Sequence, residues 1–200
     1  MITGPPRLLF LPGIAGEGSF WEPVADLLPA GWRRRYLDWP GLGPNPPSPH
    51  LNTLDDLVDL VIGELTAEET VVVAQSMGCV VAMRAALREP AALIGLVLTV
   101  SPGAVNMPNP LPQHPPGLQP PDWILAPLPD QTERLRTLAV PTLLISATRD
   151  PISPLAVAEE LARTLPNATL VAIDSDDHGI ARSHAAAVAQ AIESHVSKLR

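Results

Sequence analysis

The sequence predicts an α/β protein: a three-layer α/β/α sandwich on a mostly parallel sheet of about six strands, counted from its apolar runs. Short apolar runs alternate with helical patterns along the chain, which is the signature of βαβ units. Most of those runs are continuous rather than alternating, as strands buried on both faces read. The 200 residues are enough to bury one substantial core, and residues 1–200 are expected to form one domain.

In chain order, strands are expected over 8–11, 36–37 with the residues leading into them, 71–74, 93–100, 142–147 and 169–173. A short helix is expected over 20–28. The stretch 53–65 carries Leu54, Leu57, Val58, Val61, Ile62 and Leu65 on one helical stripe, with Thr53 as N-cap. An Ala-rich helix runs over 77–88 and stops before Pro90. Ser153 followed by Pro154 reads as an N-cap with proline at the first helical position, opening a helix over 154–165. A last helix is expected over 183–199. The strand order that suits this alternation is 2-1-3-4-5-6.

One segment breaks the pattern. Residues 102–129 are crowded with proline and have no periodicity, where a compact α/β domain needs only a short connection. The stretch 102–137 is therefore expected to be a short, Pro-rich cover over one end of the sheet. Overall, 25 prolines and 13 glycines in 200 residues stay below the roughly 25–30% that marks a disordered chain.

Charge and cysteine content exclude several function classes. A net charge of −8 and a pI near 5.0 disfavour phosphate backbones and anionic lipid surfaces, so neither nucleic acid nor membrane is an expected partner. Arg33-Arg34-Arg35 is the local exception and reads as the exposed start of a strand. Cys79 is the only cysteine, which rules out an internal disulfide and a cysteine-based zinc site. No apolar stretch reaches the roughly 20 residues of a membrane span, and residues 1–6 lack a secretory pattern. The expected compartment is the cytoplasm. No heptad or exposed apolar stripe speaks to an oligomeric state.

The chemistry is carried by Val71-Val72-Val73-Ala74-Gln75-Ser76-Met77-Gly78-Cys79. It reads as a strand, a tight turn and a helix, with Ala-x-Ser-x-Gly close to the G-x-S-x-G nucleophile elbow. Such a turn exposes the serine hydroxyl, and small residues two before and two after it avoid neighbouring backbone. The following helix aims its N-terminal N–H groups at the site. By itself the pattern also fits an ordinary N-cap serine.

Other segments resemble the α/β-hydrolase superfamily, specifically a small serine hydrolase or esterase with a reduced lid, over nearly the whole chain. Leu8-Leu9-Phe10-Leu11-Pro12-Gly13 with Ser19-Phe20-Trp21 resembles that family's first core strand and the turn after it. Asp38-Trp39-Pro40-Gly41-Leu42-Gly43 resembles its D-x-P-G-x-G segment. Val140 to Ser146 running into Arg149-Asp150-Pro151 resembles the strand and loop of the acid, and Asp177-His178-Gly179 the loop of the base. The family order is Ser, Asp, His, and here it gives Ser76, Asp150 and His178, each just past an expected strand on one edge of the sheet.

This chain has Pro12 where the family usually has histidine before the loop glycine. The resemblance implies oxyanion donors at the N–H groups of Met77 and Ile14. Asp174, Asp176 and Asp177 compete with Asp150, and His184 with His178, but they read as solvated loop or helix residues. His195 reads as a helix residue, and His50 and His114 lie in Pro-rich loops. Nothing in the spacing of these groups suggests a metal site. Trp21 and Trp39 read as packing residues, while Trp123, in the Pro-rich cover, reads as a pocket wall. Gly41-Leu42-Gly43 lacks the third glycine of a dinucleotide fingerprint.

The expectation is a serine hydrolase that cleaves a small or medium acyl ester through an acyl-enzyme, with no cofactor and a small-molecule ester or acyl partner. One alternative uses the same triad for C–C bond hydrolysis, lyase chemistry or acyl transfer, since fold and triad do not choose among these. Another is a non-catalytic ligand-binding module on the same scaffold.

Overall fold

The structure, a computed structural model, describes residues 4–65, 69–103, 121–125 and 130–199. Strands β1 (Arg7–Leu11), β2 (Arg33–Tyr36), β3 (Thr70–Gln75), β4 (Leu93–Thr99), β5 (Thr142–Ala147) and β6 (Ala168–Ile173) form one sheet in the order β2-β1-β3-β4-β5-β6. Every neighbouring pair is parallel. Both the strand count and the order match the expectation.

The helices are α1 (Glu22–Ala25), α2 (Leu54–Glu64), α3 (Met77–Arg88), α4 (Asp122–Leu125), α5 (Thr132–Leu135), α6 (Leu155–Thr164), α7 (Ile180–Ser183) and α8 (Ala185–Ser197). Alternate residues of the central strands feed two cores. Leu9, Leu11, Val72, Ala74, Leu96, Leu98 and Leu144 pack against α2, α3 and α6. Leu8, Phe10, Val71, Val73, Val97, Leu143 and Ile145 pack against α1, α7 and α8. Burial on both faces is why these strands carry unbroken apolar runs. The edge strands differ. β2 places Arg33 and Arg35 outward, while Arg34 donates to the carbonyl oxygens of Leu28 and Pro29. The basic run is thus not uniformly exposed.

Helix boundaries follow local chemistry. At α2 the Thr53 hydroxyl accepts from Asp56 N at 3.1 Å, and the Asp56 carboxylate accepts from Thr53 N at 2.9 Å. This reciprocal cap satisfies two backbone N–H groups at the helix start, and hydrogen bonds from Asn52 and Thr53 hold the Asp56 carboxyl below its ordinary value. Arg84 and Arg88 of α3 pair with Asp55 and Asp59 of α2.

The expected Ser153 cap is corrected. Pro154 is the N-cap of α6 and has no side-chain acceptor to offer, while the Ser153 hydroxyl is buried one residue too early and caps nothing. The helix expected over 20–28 resolves into a 3-10 turn, Gly18–Trp21, and the short α1. The one expected over 183–199 starts earlier, as α7, and breaks at His184, whose backbone (φ −125°, ψ 37°) is not helical. No helix among the described residues is long and apolar enough to cross a membrane.

Candidate active site

Ser76 sits in the sharp turn between β3 and α3, with φ 51° and ψ −122°. A non-glycine residue in this region costs about 1–3 kcal/mol and is held there by its surroundings. Ser76 N donates to Thr99 O on β4 at 3.0 Å, and Cys79 N to Ser76 O at 2.8 Å. The Cys79 thiol donates to Ala74 O and Thr99 O. Burial pushes that thiol far above its ordinary pKa, so it braces the turn and is no nucleophile. Ser76 occupies the N-cap position of α3, yet its side chain makes no capping hydrogen bond.

The Ser76 hydroxyl faces His178 instead. Ser76 Oγ lies 3.0 Å from His178 Nε2, and His178 Nδ1 lies 2.7 Å from Asp150 Oδ2. The Asp150 side chain is fully buried and that of His178 is 15% exposed. Asp150 Oδ1 accepts from Ile152 N at 2.8 Å and Ser153 N at 3.1 Å. A carboxylate at Nδ1 places the ring proton there and leaves Nε2 free to accept from the hydroxyl.

Three residues spread over 102 positions of sequence meet because parallel strands β3, β5 and β6 end on the same edge. The rival acids are engaged elsewhere. Asp174 pairs with Arg149, which lowers its pKa. Asp177 accepts from Gly179 N at 2.7 Å. Its carboxyl is held low by the Ser183 hydroxyl first and then by that N–H. Asp176 is exposed. His184 contacts the Ser183 hydroxyl, 2.9 Å away. His195 lies on α8, and His50 is exposed. His114 lies outside the described residues.

The loop after β1 forms the opposite wall. Trp21 Nε1 donates to Leu11 O and Trp39 Nε1 to Pro12 O, both at 2.9 Å. Gly18 N donates to the Asp38 carboxylate at 2.7 Å, and Asn45 Nδ2 to the carbonyls of Gly16, Trp39 and Leu42. The two tryptophans thus pack, as expected, and their indole N–H groups also pin the end of β1. A Cβ on Gly78 would collide with the Pro12 carbonyl, which brings α3 hard against this loop. Among the described residues, the backbone N–H groups of Ile14 and Met77 have no hydrogen-bond partner. Met77 directly follows Ser76, and Ile14 lines the same cleft.

A cleft of about 240 Å³ opens beside Ser76 and His178, walled by Pro12 to Ala15, Gln75, Phe20 and Arg182 among others. Gln75, Phe20 and Arg182 were not legible as site residues from the sequence. Gln75 is hidden at a variable position of the elbow, and Arg182 is one helical turn past His178 with no motif around it. Trp123, expected as a pocket wall, is half-buried on α4 and packs against one of the two cores. It is not among the residues lining this cleft. Much of the Pro-rich cover over 102–137 lies outside the described residues. Among the described residues no three His, Cys, Asp or Glu side chains cluster as a metal site would need.

Comparison with known proteins agrees with the fold. The sequence matches the model of the α/β hydrolase family over residues 8–129 and that of the TAP-like proteins over residues 121–199. It is 35% identical over 98 residues to a 2-succinyl-6-hydroxy-2,4-cyclohexadiene-1-carboxylate synthase of Escherichia coli, a match spanning 48% of this chain and only 38% of that enzyme. The structure is similar to a thermophilic esterase from Thermogutta terrifontis (TM-score 0.79, 24% identity, 98% of this chain and 91% of that one). It is also similar to a meta-cleavage product hydrolase from Pseudomonas fluorescens (TM-score 0.78, 19% identity, 98% and 92%). At such identities the likeness speaks for the fold alone.

Proposed function

The chain belongs to the α/β hydrolase family, and from that premise we propose that it is a serine hydrolase cleaving small or medium acyl esters through an acyl-enzyme. One observation carries the reading: His178 bridges the Ser76 hydroxyl and the buried Asp150 carboxylate, at 3.0 and 2.7 Å.

In the proposed reaction Ser76 Oγ attacks the ester carbonyl carbon while His178 Nε2 takes its proton. Asp150 holds the ring and stabilises the imidazolium. The oxyanion is received by the N–H groups of Ile14 and Met77. One such donor is commonly worth about 10²–10³ in rate. His178 then protonates the departing alkoxide. Water, deprotonated by the same nitrogen, attacks the acyl-Ser76 ester, and the acid leaves as Ser76 recovers its proton. The side chains supply nucleophile, base and electrostatic stabilisation, so the reaction as written uses no cofactor. A small-molecule ester or acyl substrate and a cytoplasmic setting belong to the same proposal.

A second reading keeps these residues and changes the bond broken, to a C–C bond or to a lyase or acyl-transfer step. The partial match to the synthase favours it.

A fluorophosphonate probe tests the shared premise. Wild type is expected to be labelled and Ser76→Ala is not; equal labelling of both, or of neither, overturns it. A panel of nitrophenyl esters then separates the readings. Turnover supports the esterase, and a labelled Ser76 without turnover of any ester favours the second. An unlabelled protein that ligands still stabilise would be a binding module.

A further inference from the structure

We propose that the cleft takes an acyl substrate bearing a carboxylate, with Arg182 as its charge partner at the mouth and Gln75 as a hydrogen-bonding partner inside. The proposal rests on the serine hydrolase reading and names the substrate class of that site.

Two polar side chains in the cleft wall lack a protein partner. Gln75 is only 7% exposed, yet its amide makes no hydrogen bond among the described residues. It is wedged against the loop after β1, where a Cβ on Gly13 would strike its Oε1. Its amide lines the cleft immediately before Ser76, where it meets whatever fills the cleft. An apolar acyl chain that displaced water there would leave the amide unpartnered, which is costly. A ligand carrying oxygen atoms at that point would not.

Arg182 supplies the sign of the charge. It lies on α7, which follows the His178 loop directly, and its guanidinium carbon is 5.5 Å from the centroid of the Phe20 ring. Both residues line the cleft. No carboxylate pairs with Arg182 among the described residues. A guanidinium resting on an aromatic face keeps its N–H edges free, and that planar fork matches a carboxylate. Glu17, exposed on the same wall, is the opposing charge. It has no aromatic face to hold it and makes no ion pair among the described residues. Glu17 and Arg182 therefore affect an anionic substrate with opposite signs.

The experiment compares 4-nitrophenyl esters of adipic acid, with its second carboxylate free, of hexanoic acid, and of 6-aminohexanoic acid. Wild type is expected to have its highest kcat/KM on the adipate ester. In Arg182→Gln the ratio of kcat/KM for adipate to that for hexanoate falls about tenfold, as for the loss of one charge-assisted hydrogen bond. Arg182→Lys loses less, and Glu17→Gln raises the ratio. Free adipate is expected to raise the Tm of wild type but not of Arg182→Gln, a readout that needs no turnover. A preference for the aminohexanoate ester overturns the proposal. So does an unchanged ratio in Arg182→Gln, or adipate stabilisation that ignores residue 182. Failure of the fluorophosphonate test with Arg182-dependent stabilisation by adipate would sink the hydrolase reading and leave the anion site standing.

Discussion

The indole nitrogen of Trp39 donates to the carbonyl oxygen of Pro12 at 2.9 Å, fixing from one side the loop that α3 presses from the other. The first turn of α3 reaches the same carbonyl through Gly78, where a Cβ has no room. The wall that offers the Ile14 N–H is thus clamped between a tryptophan and a helix, and its distance from Ser76 is set by both.

Removing the indole donor leaves a buried carbonyl unpaired. Trp39→Phe is expected to cost about 1–3 kcal/mol of stability, read by urea denaturation, and to lower kcat for ester hydrolysis more than it changes KM. Unaltered stability would show that the clamp does not depend on this hydrogen bond.

Adding one carbon at Gly78 pushes the loop from the other side. Gly78→Ala is expected to lower kcat on the order of 10²-fold, the effect of misplacing a reacting group by about an ångström. Circular dichroism should still report a folded protein, and wild-type kcat in this variant would contradict the close approach of Gly78 to Pro12.

Asp150→Asn tests how His178 is held. The asparagine oxygen can keep the N–H groups of Ile152 and Ser153, which turns its NH2 toward His178 Nδ1. That donor forces the proton onto Nε2, where it cannot accept from Ser76. A fall in kcat of about 10⁴-fold at pH 7 is expected, as in other triads. A loss below tenfold would remove Asp150 from the proposed mechanism.

His195 predicts a pH dependence of stability. Burial lowers its pKa below the ordinary 6.5, with Lys198 adding to the effect and the Pro141 carbonyl opposing it. Its Nε2 is buried without a partner. The folded protein therefore resists a proton that the unfolded chain accepts. This contribution to stability is complete above pH 6.5 and is lost as pH falls through that value toward the folded pKa. Its slope cannot exceed about 1.4 kcal/mol per pH unit. Urea denaturation at pH 7.5 and 5.5 should show wild type losing more stability than His195→Gln, and equal losses would refute the assignment.

Much of the fold was legible because a doubly covered parallel sheet writes itself as continuous apolar runs, and β1, β3, β4 and β5 are such runs. Ser76, Asp150 and His178 could be picked out because each follows a strand end. Local chemistry did not settle where an element starts or which side a residue packs on. Ser153 has the chemistry of an N-cap, but α6 starts at Leu155, one residue later than the cap needs. Trp123 has the chemistry of a pocket wall and also packs against the buried core.

By itself, then, the sequence determined the strand order, the chain positions of Ser76, Asp150 and His178 past three strand ends and the acidic net charge. Those depend on local pattern and composition, which a linear reading retains. Only the tertiary structure decided that the Ser76 hydroxyl faces His178 rather than capping α3, that Trp21 and Trp39 pin the facing loop, and that Gln75 and Arg182 share its cleft. These depend on distances between segments far apart in the chain, set by how the strands twist and the helices pack, and no local pattern encodes them.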